Sequence, residues 1–234
     1  MIRMGKRIIT DFKRPDKELI ERFRGKASAN VSDCTGRLFA MDSRIRPMGK
    51  GKSLVGPAFT VNAAMADNLL FHKALLLAKP GDVLVVNAAG DRNYSVCGDI
   101  MFQIARKAGI AGIVIDGCIR DVEFLEQNDF PVYAIGVTPR GPYKNGPGEI
   151  NVDICCGGQV VHPGDLIVGD ADGITVVYPD DMAAVADEVE KVIAKEAAFE
   201  DMIERGRWAE ESPLARQVEE TLTKQGYFIL DPEA

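Results

Sequence analysis

The chain has 234 residues and a mass of 25.4 kDa, with 46% hydrophobic and 27% charged residues, so it can bury a core as one large domain or two small ones. Its 35 acidic residues against 28 basic ones leave a net charge of −7, which repels phosphate backbones and, being spread along the chain, is no disordered acidic tail. Residues 1–10 lack a signal-peptide core and no apolar run approaches the ~20 residues of a membrane helix, so a cytoplasmic protein without membrane or nucleic-acid partners is expected.

The first expected element is a short helix capped by Asp16, with Leu19, Ile20 and Phe23 as its apolar stripe and Gly25 as its stop. A second helical turn is expected from Asn30 or Ser32 into Gly36. A strand over 54–61 follows, which Gly56-Pro57 bends or places at an edge. Asp67 and Asn68 cap a helix to about Lys79. Pro80-Gly81-Asp82 then turns into Val83-Leu84-Val85-Val86, an unbroken apolar strand of the kind covered on both faces. Residues 87–97 read as a polar loop, and Gly98-Asp99 opens a helix through Lys107 that Gly109 stops. Residues 112–116 are a second buried strand, so a β-loop-α-β unit with parallel strands and a right-handed crossover is predicted.

Beyond Arg120-Asp121 come a short helix, a strand over 131–135 and a Gly/Pro-rich loop over 138–149. Strands over 150–155 and 159–161 precede His162-Pro163-Gly164-Asp165, which leads into Leu166-Ile167-Val168. Asp172-Gly173 is a hairpin turn returning the chain over 174–178. A long helix to about Glu204 carries Met182, Val185, Val189, Val192 and Ile193 at helical spacing. The last helix, 213–224, is mostly polar and suits packing on a neighbouring subunit. No linker divides the chain, so residues 1–234 are expected to form one α/β domain with C-terminal helices from about 180.

The five cysteines, Cys34, Cys97, Cys118, Cys155 and Cys156, contain no CxxC pair, against both a disulfide framework and a zinc knuckle. They read as buried small apolar residues, with Cys155 and Cys156 on opposite faces of a strand. Only His72 and His162 could partner a thiol nucleophile, so cysteine catalysis is not expected.

Three places could carry chemistry. The junction 86–91 has one glycine, Gly90, and no helix directly after it, so it is an ordinary connection rather than a dinucleotide site. Gly98-Asp99-Ile100-Met101 opens a helix whose free N–H groups favour an anion, although on these residues alone Asp99 as a simple cap is the better account. Asp116-Gly117-Cys118-Ile119-Arg120-Asp121 ends a buried parallel strand, where open α/β sheets place ligands. Arg120 and Asp121 alone could be a structural ion pair. With Asp99 at the end of the preceding segment, they can face one crevice and hold a hard cation and a small keto acid.

Asp99, twenty intervening residues and Arg120-Asp121 resemble the signature of the RraA-like family. Supporting matches are Asp67-Asn68-Leu69 with His72, Pro80-Gly81-Asp82, Val114-Ile115-Asp116-Gly117, His162-Pro163-Gly164-Asp165 and Asp170-Ala171-Asp172-Gly173. That family contains class II 4-hydroxy-4-methyl-2-oxoglutarate/4-carboxy-4-hydroxy-2-oxoadipate aldolases and the regulator of ribonuclease E activity. The resemblance implies a swivelling β/β/α domain assembled as a trimer or a dimer of trimers. It implies Asp121 as ligand of Mg²⁺ or Mn²⁺ and Asp99 as holder of one of its waters. Arg120 would bind the ketone and carboxylate oxygens of a pyruvate unit. The Ile100 and Met101 N–H groups would bind the carboxylate, with Gly98 allowing close approach. Asn68 and His72 are further candidates, His72 as either a core histidine or a cleft residue. Glu196 is a candidate contributed by a neighbouring subunit.

The aldolases tend to carry an acid three positions past the metal-binding Asp, where this chain has Phe124. The resemblance therefore implies a metal-dependent lyase working through a pyruvate enolate, with oxaloacetate decarboxylation ahead of aldol cleavage. No lysine is assigned to the cleft, so no Schiff base is expected. The alternative is a non-catalytic protein that binds and regulates a ribonuclease.

Overall fold

The computed structural model of the chain describes residues 4–227. Two compact units divide the chain, Met1–Asp187 and Glu188–Ala234. The first opens with helices α1 (Lys17–Glu21) and α2 (Ser28–Cys34) and strands β1 (Arg46–Pro47) and β2 (Leu54–Ala63). Helix α3 (Leu69–Leu75), strand β3 (Val83–Ser95), helix α4 (Asp99–Lys107), strand β4 (Gly112–Ile119) and helix α5 (Val122–Gln127) follow. Short strands then complete it: β5 (Val132–Ala134), β6 (Gly136–Val137), β7 (Gly148–Ile150), β8 (Ile154–Cys156), β9 (Gln159–Val161), β10 (Leu166–Gly169) and β11 (Ile174–Val177). Helix α6 (Met182–Glu204) begins in the first unit, and α7 (Trp208–Glu211) and α8 (Pro213–Gln225) lie in the second.

The main sheet runs β1-β5-β4-β3-β2-β10-β11, with β6 beside β4 and β7 beside β2. Both β2–β3 and β3–β4 pair in parallel with a helix between them, so the mixed α/β class and the central βαβ unit hold. The apolar run of β3 explains this position. Leu84 and Val86 join a core with Phe59, Ile113 and Ile115 beneath Phe71 of α3 and Phe102 of α4. Val83 and Val85 join a second core on the other face with Val114, Tyr133, Ile167 and Val176. Strands buried on both faces carry no polar alternation, and each such side chain contributes about 1.5–3 kcal/mol of burial.

Local signals land where chemistry requires. Asp16 caps α1 by accepting the Glu18 N–H at 3.0 Å. Gly109 closes α4 at φ +75°, a left-handed conformation costly for other residues. Helix α3 ends at Leu75 rather than near Lys79, because the buried Asp82 carboxylate takes the Lys79 N–H at 2.8 Å and Pro80 follows.

Gly56-Pro57 marks a change of partner: Leu54–Pro57 pairs with β10 on one side, and from Ala58 the strand pairs with β3. A Cβ at Gly56 would collide with the Gly81 carbonyl, so the glycine makes room for the neighbouring turn. Three expectations are corrected. Residues 87–95 are strand rather than loop. Two register shifts let Asp91 pair with Gly117 and Ser95 with Cys118 while polar side chains reach solvent. Helix α2 starts at Ser28, whose N–H and hydroxyl both bond Asp170 at 2.7 Å. Cys155 is exposed, because the β8–β9 hairpin covers only the face of Cys156. Among the described residues no helix is long and apolar enough to cross a membrane.

Candidate active site

The segments after β3 and after β4 are laced together by main-chain bonds. Val96 N–H donates to Cys118 O at 2.8 Å, and Arg120 N–H donates to Cys97 O at 3.0 Å. Asp99 N–H donates to Asp121 Oδ2 at 3.1 Å. This brings Gly98, Asp99, Arg120 and Asp121, separated in sequence, into one place. Gly98 is extended at φ −147°, so conformation does not demand glycine there. Space does: a Cβ would overlap Asp121 Oδ2 and stand 2.9 Å from Arg120 Cγ and 3.0 Å from Arg120 Nε.

Asp121 adopts a left-handed backbone, φ +57° and ψ 43°, which costs an L-residue roughly 1–2 kcal/mol. The side chains of Arg120 and Asp121 remain 45% and 41% exposed, with Nε and Oδ2 3.4 Å apart. An exposed pair of this kind stabilises a fold by about 0–1 kcal/mol.

The loop 138–147 forms a second wall. Thr138 N–H donates to Ile119 O at 2.9 Å, and Ser95 donates to Arg140 O through its N–H at 2.8 Å and its hydroxyl at 3.0 Å. Gly141 is close enough that a Cβ would stand 3.2 Å from Arg120 Nη1. The Arg140 guanidinium lies 5.2 Å from the Tyr94 ring centroid, and Tyr94 is 5.7 Å from Tyr143.

The other candidates separate. Asn68 is buried at the start of α3 and donates through Nδ2 to Val96 O at 2.8 Å, holding the segment that leads to Gly98. His72, one turn on, is half-buried rather than a core residue. Burial, and then the charge of Lys144, hold its pKa below the ordinary 6.5. Ile100 is exposed, whereas the Met101 N–H is bonded to Gly98 O at 3.0 Å, so the anion-binding donor implied at Met101 is already engaged. Gln103 reaches Asp99 Oδ2 at 3.4 Å. Phe124 stacks on Phe102 with centroids 6.3 Å apart, so it serves the core. Glu196 lies on α6 in the second unit, exposed. Cys97 is buried beside the site, and burial pushes its thiol well above the ordinary range, unsuited to nucleophilic attack. Sequence reasoning missed Asp67 as an anchor of the loop; its signal, an Asp before a helix, reads locally as a cap.

Among the described residues no group of three or more His, Cys, Asp or Glu side chains gathers as a metal cluster. The site offers hard oxygens instead, the exposed Asp121 carboxylate with Asp99 at the adjoining helix start. That donor set fits a hard cation that keeps most of its water, Mg²⁺ or Mn²⁺, and does not fit structural zinc.

The family model for RraA-like proteins, described as Aldolase/RraA, matches residues 28–176, which include every residue of this constellation. A Halalkalibacterium halodurans protein named "Putative 4-hydroxy-4-methyl-2-oxoglutarate aldolase" is 41% identical over 186 residues, covering 80% of this chain and 89% of that protein. A solved Streptomyces coelicolor structure, described as an unusual member of the RNase ES inhibitor RraA protein family, superposes with a TM-score of 0.71 at 30% identity. The match covers 81% of this chain and 99% of that one. The structure of an RNA-processing inhibitor RraA from Thermus thermophilus gives a TM-score of 0.60 at 28% identity, covering 64% of this chain and 92% of that one.

Proposed function

This chain belongs to the RraA-like family, and on that premise we propose that it is a divalent-metal-dependent carbon–carbon lyase acting on 2-oxo acids. The observation that carries the reading is Gly98, kept free of a side chain so that Arg120 and Asp121 can meet the start of α4 while still facing solvent. The relative named as an aldolase supports the same class of reaction.

In such a reaction the C3–C4 bond breaks and its electron pair becomes the enolate of pyruvate. Mg²⁺ or Mn²⁺ held by Asp121 would supply positive charge beside the oxygen on which negative charge develops. The planar fork of Arg120 donates to that oxygen and to the adjacent carboxylate. The positive end of α4, at Ile100, favours the same carboxylate. Asp99 offers the second carboxylate at the cleft. Phe124 supplies no proton acceptor for a C4 hydroxyl, so decarboxylation of oxaloacetate, which needs none, is favoured over aldol cleavage.

Assembly as a trimer or a dimer of trimers, with Glu196 reaching a neighbour's site, is part of the proposal and is read by light scattering. A non-catalytic ribonuclease regulator is the second reading, favoured by the descriptions of the two solved relatives. The test is pyruvate release from oxaloacetate and from 4-hydroxy-4-methyl-2-oxoglutarate. Oxaloacetate should react faster, EDTA should stop both reactions, and Mg²⁺ or Mn²⁺ should restore them. No pyruvate from either substrate in the presence of both metals would refute the lyase.

A further inference from the structure

Resting on that reading, we propose that Asp67 is a positioning residue that pins the 138–147 loop behind Arg120 and so sets how tightly the site grips its 2-oxo acid. Asp67 is only 5% exposed. Its two carboxylate oxygens serve two separate elements. Oδ1 accepts the Leu69 N–H at 2.9 Å, the two-residue turn an Asp commonly makes with its own chain. Oδ2 accepts the Asn145 N–H at 2.6 Å and the Gly146 N–H at 2.9 Å, both from the distant loop.

The main chain around Asp67 reinforces this tie. Tyr143 N–H donates to Ala66 O at 2.7 Å, and Asn68 N–H donates to Tyr143 O at 3.0 Å. At its other end the loop is held through the Arg140 carbonyl by Ser95, so 141–142 is suspended between two anchors. That suspended stretch holds Gly141 against the Arg120 guanidinium. The Arg120 pair with Asp121 is long, at 3.4 Å, and exposed, so the loop against its guanidinium is what confines its fork. Hydrogen bonds to a buried carboxylate contribute more than neutral ones, and an anchor with two of them holds a loop of ten residues.

Loss of the anchor frees Arg120 before substrate arrives. The cost of ordering it again falls on the ground-state complex and the transition state alike, which raises KM and leaves kcat nearly unchanged. Asp67→Ser separates the two tasks of the residue. A serine at this position can still accept the Leu69 N–H two residues on but is too short to reach Asn145 and Gly146.

The experiment compares the unmutated chain, Asp67→Ser and the isosteric Asp67→Asn. In Asp67→Ser, trypsin should open new termini at Gly141 and Asn145, after Arg140 and Lys144, that the unmutated chain protects. The KM for oxaloacetate should rise about tenfold or more, with kcat within about threefold. Asp67→Asn, which keeps one acceptor oxygen, covers the case in which the serine variant melts early, and should show the same changes at smaller size. In an Arg120→Lys background Asp67→Ser should add little to KM, because the residue acts through Arg120. A loop that stays protected in both variants overturns the proposal, as does a cut loop with unchanged KM or full additivity with Arg120→Lys. If the unmutated chain releases no pyruvate, the lyase reading fails and the claim about substrate grip falls with it, whereas the trypsin result still reports on the anchor.

Discussion

The Asp99 N–H donates to Asp121 Oδ2 across 3.1 Å, joining the first residue of α4 to the residue that leads into α5. One carboxylate oxygen thus holds two segments together, and the same oxygen stands 3.4 Å from Arg120 Nε.

Replacement of Arg120 and of Asp121 should separate two roles. Arg120→Lys keeps the charge but loses the planar fork, so kcat should fall by roughly 10²-fold, the scale of a lost oxyanion donor. Asp121→Ala should abolish the response to added Mg²⁺ along with activity. Because both side chains are more than two-fifths exposed, Arg120→Lys should leave the melting temperature nearly unchanged. A large fall in melting temperature with catalysis intact would make the pair structural and the site assignment wrong.

Gly98→Ala tests the demand for space. Its methyl group would overlap Asp121 Oδ2 and crowd Arg120 Cγ, and both side chains can move toward solvent. Stability should fall by about 1–3 kcal/mol at most, while kcat/KM should fall by up to about 10²-fold, since small displacements of aligned groups are costly. Denaturant melts beside kinetics decide it, and a variant with full activity would remove the observation on which the lyase reading stands.

His72 predicts a pH dependence. Burial first, and Lys144 second, lower its pKa from 6.5, so the unfolded chain binds a proton in a range where the folded chain does not. Its contribution to stability is therefore lost as pH falls through 6.5 and levels off below the lowered folded value. His72→Gln should flatten this slope in melts taken on either side of pH 6.5. Lys144→Ala should move the His72 titration, followed by NMR, part of the way back up, since the larger cause is burial.

Lys144 lies on the 138–147 loop, where its charge acts on His72. The proposed mechanism gives it no covalent role. Borohydride with pyruvate should leave the protein unlabelled and active, and a pyruvyl adduct on Lys144 by mass spectrometry would replace the metal mechanism with a Schiff base.

The sequence alone determined the elements whose causes are local. Asp16 as a cap, Gly109 as a stop, Pro80-Gly81-Asp82 as a turn and the run from Val83 to Val86 as a doubly covered strand all follow from a few adjacent residues. The order of Asp99 and Arg120-Asp121 at the ends of successive βαβ segments was legible for the same reason, since parallel neighbours bring such ends together. What only the tertiary structure decided depends on partners far along the chain. Residues 87–95 look like a loop because their polar side chains suit solvent, yet Gly117 and Cys118 of β4 hold them as strand. Asp67 looks like a helix cap because Leu69 is two residues away, yet the Asn145 and Gly146 N–H groups that make it an anchor arrive from nearly eighty residues beyond. Short-range preferences select the elements. Hydrogen bonds between distant segments, which exist only once the chain is packed, decide where strands end and which polar side chain holds the site in place.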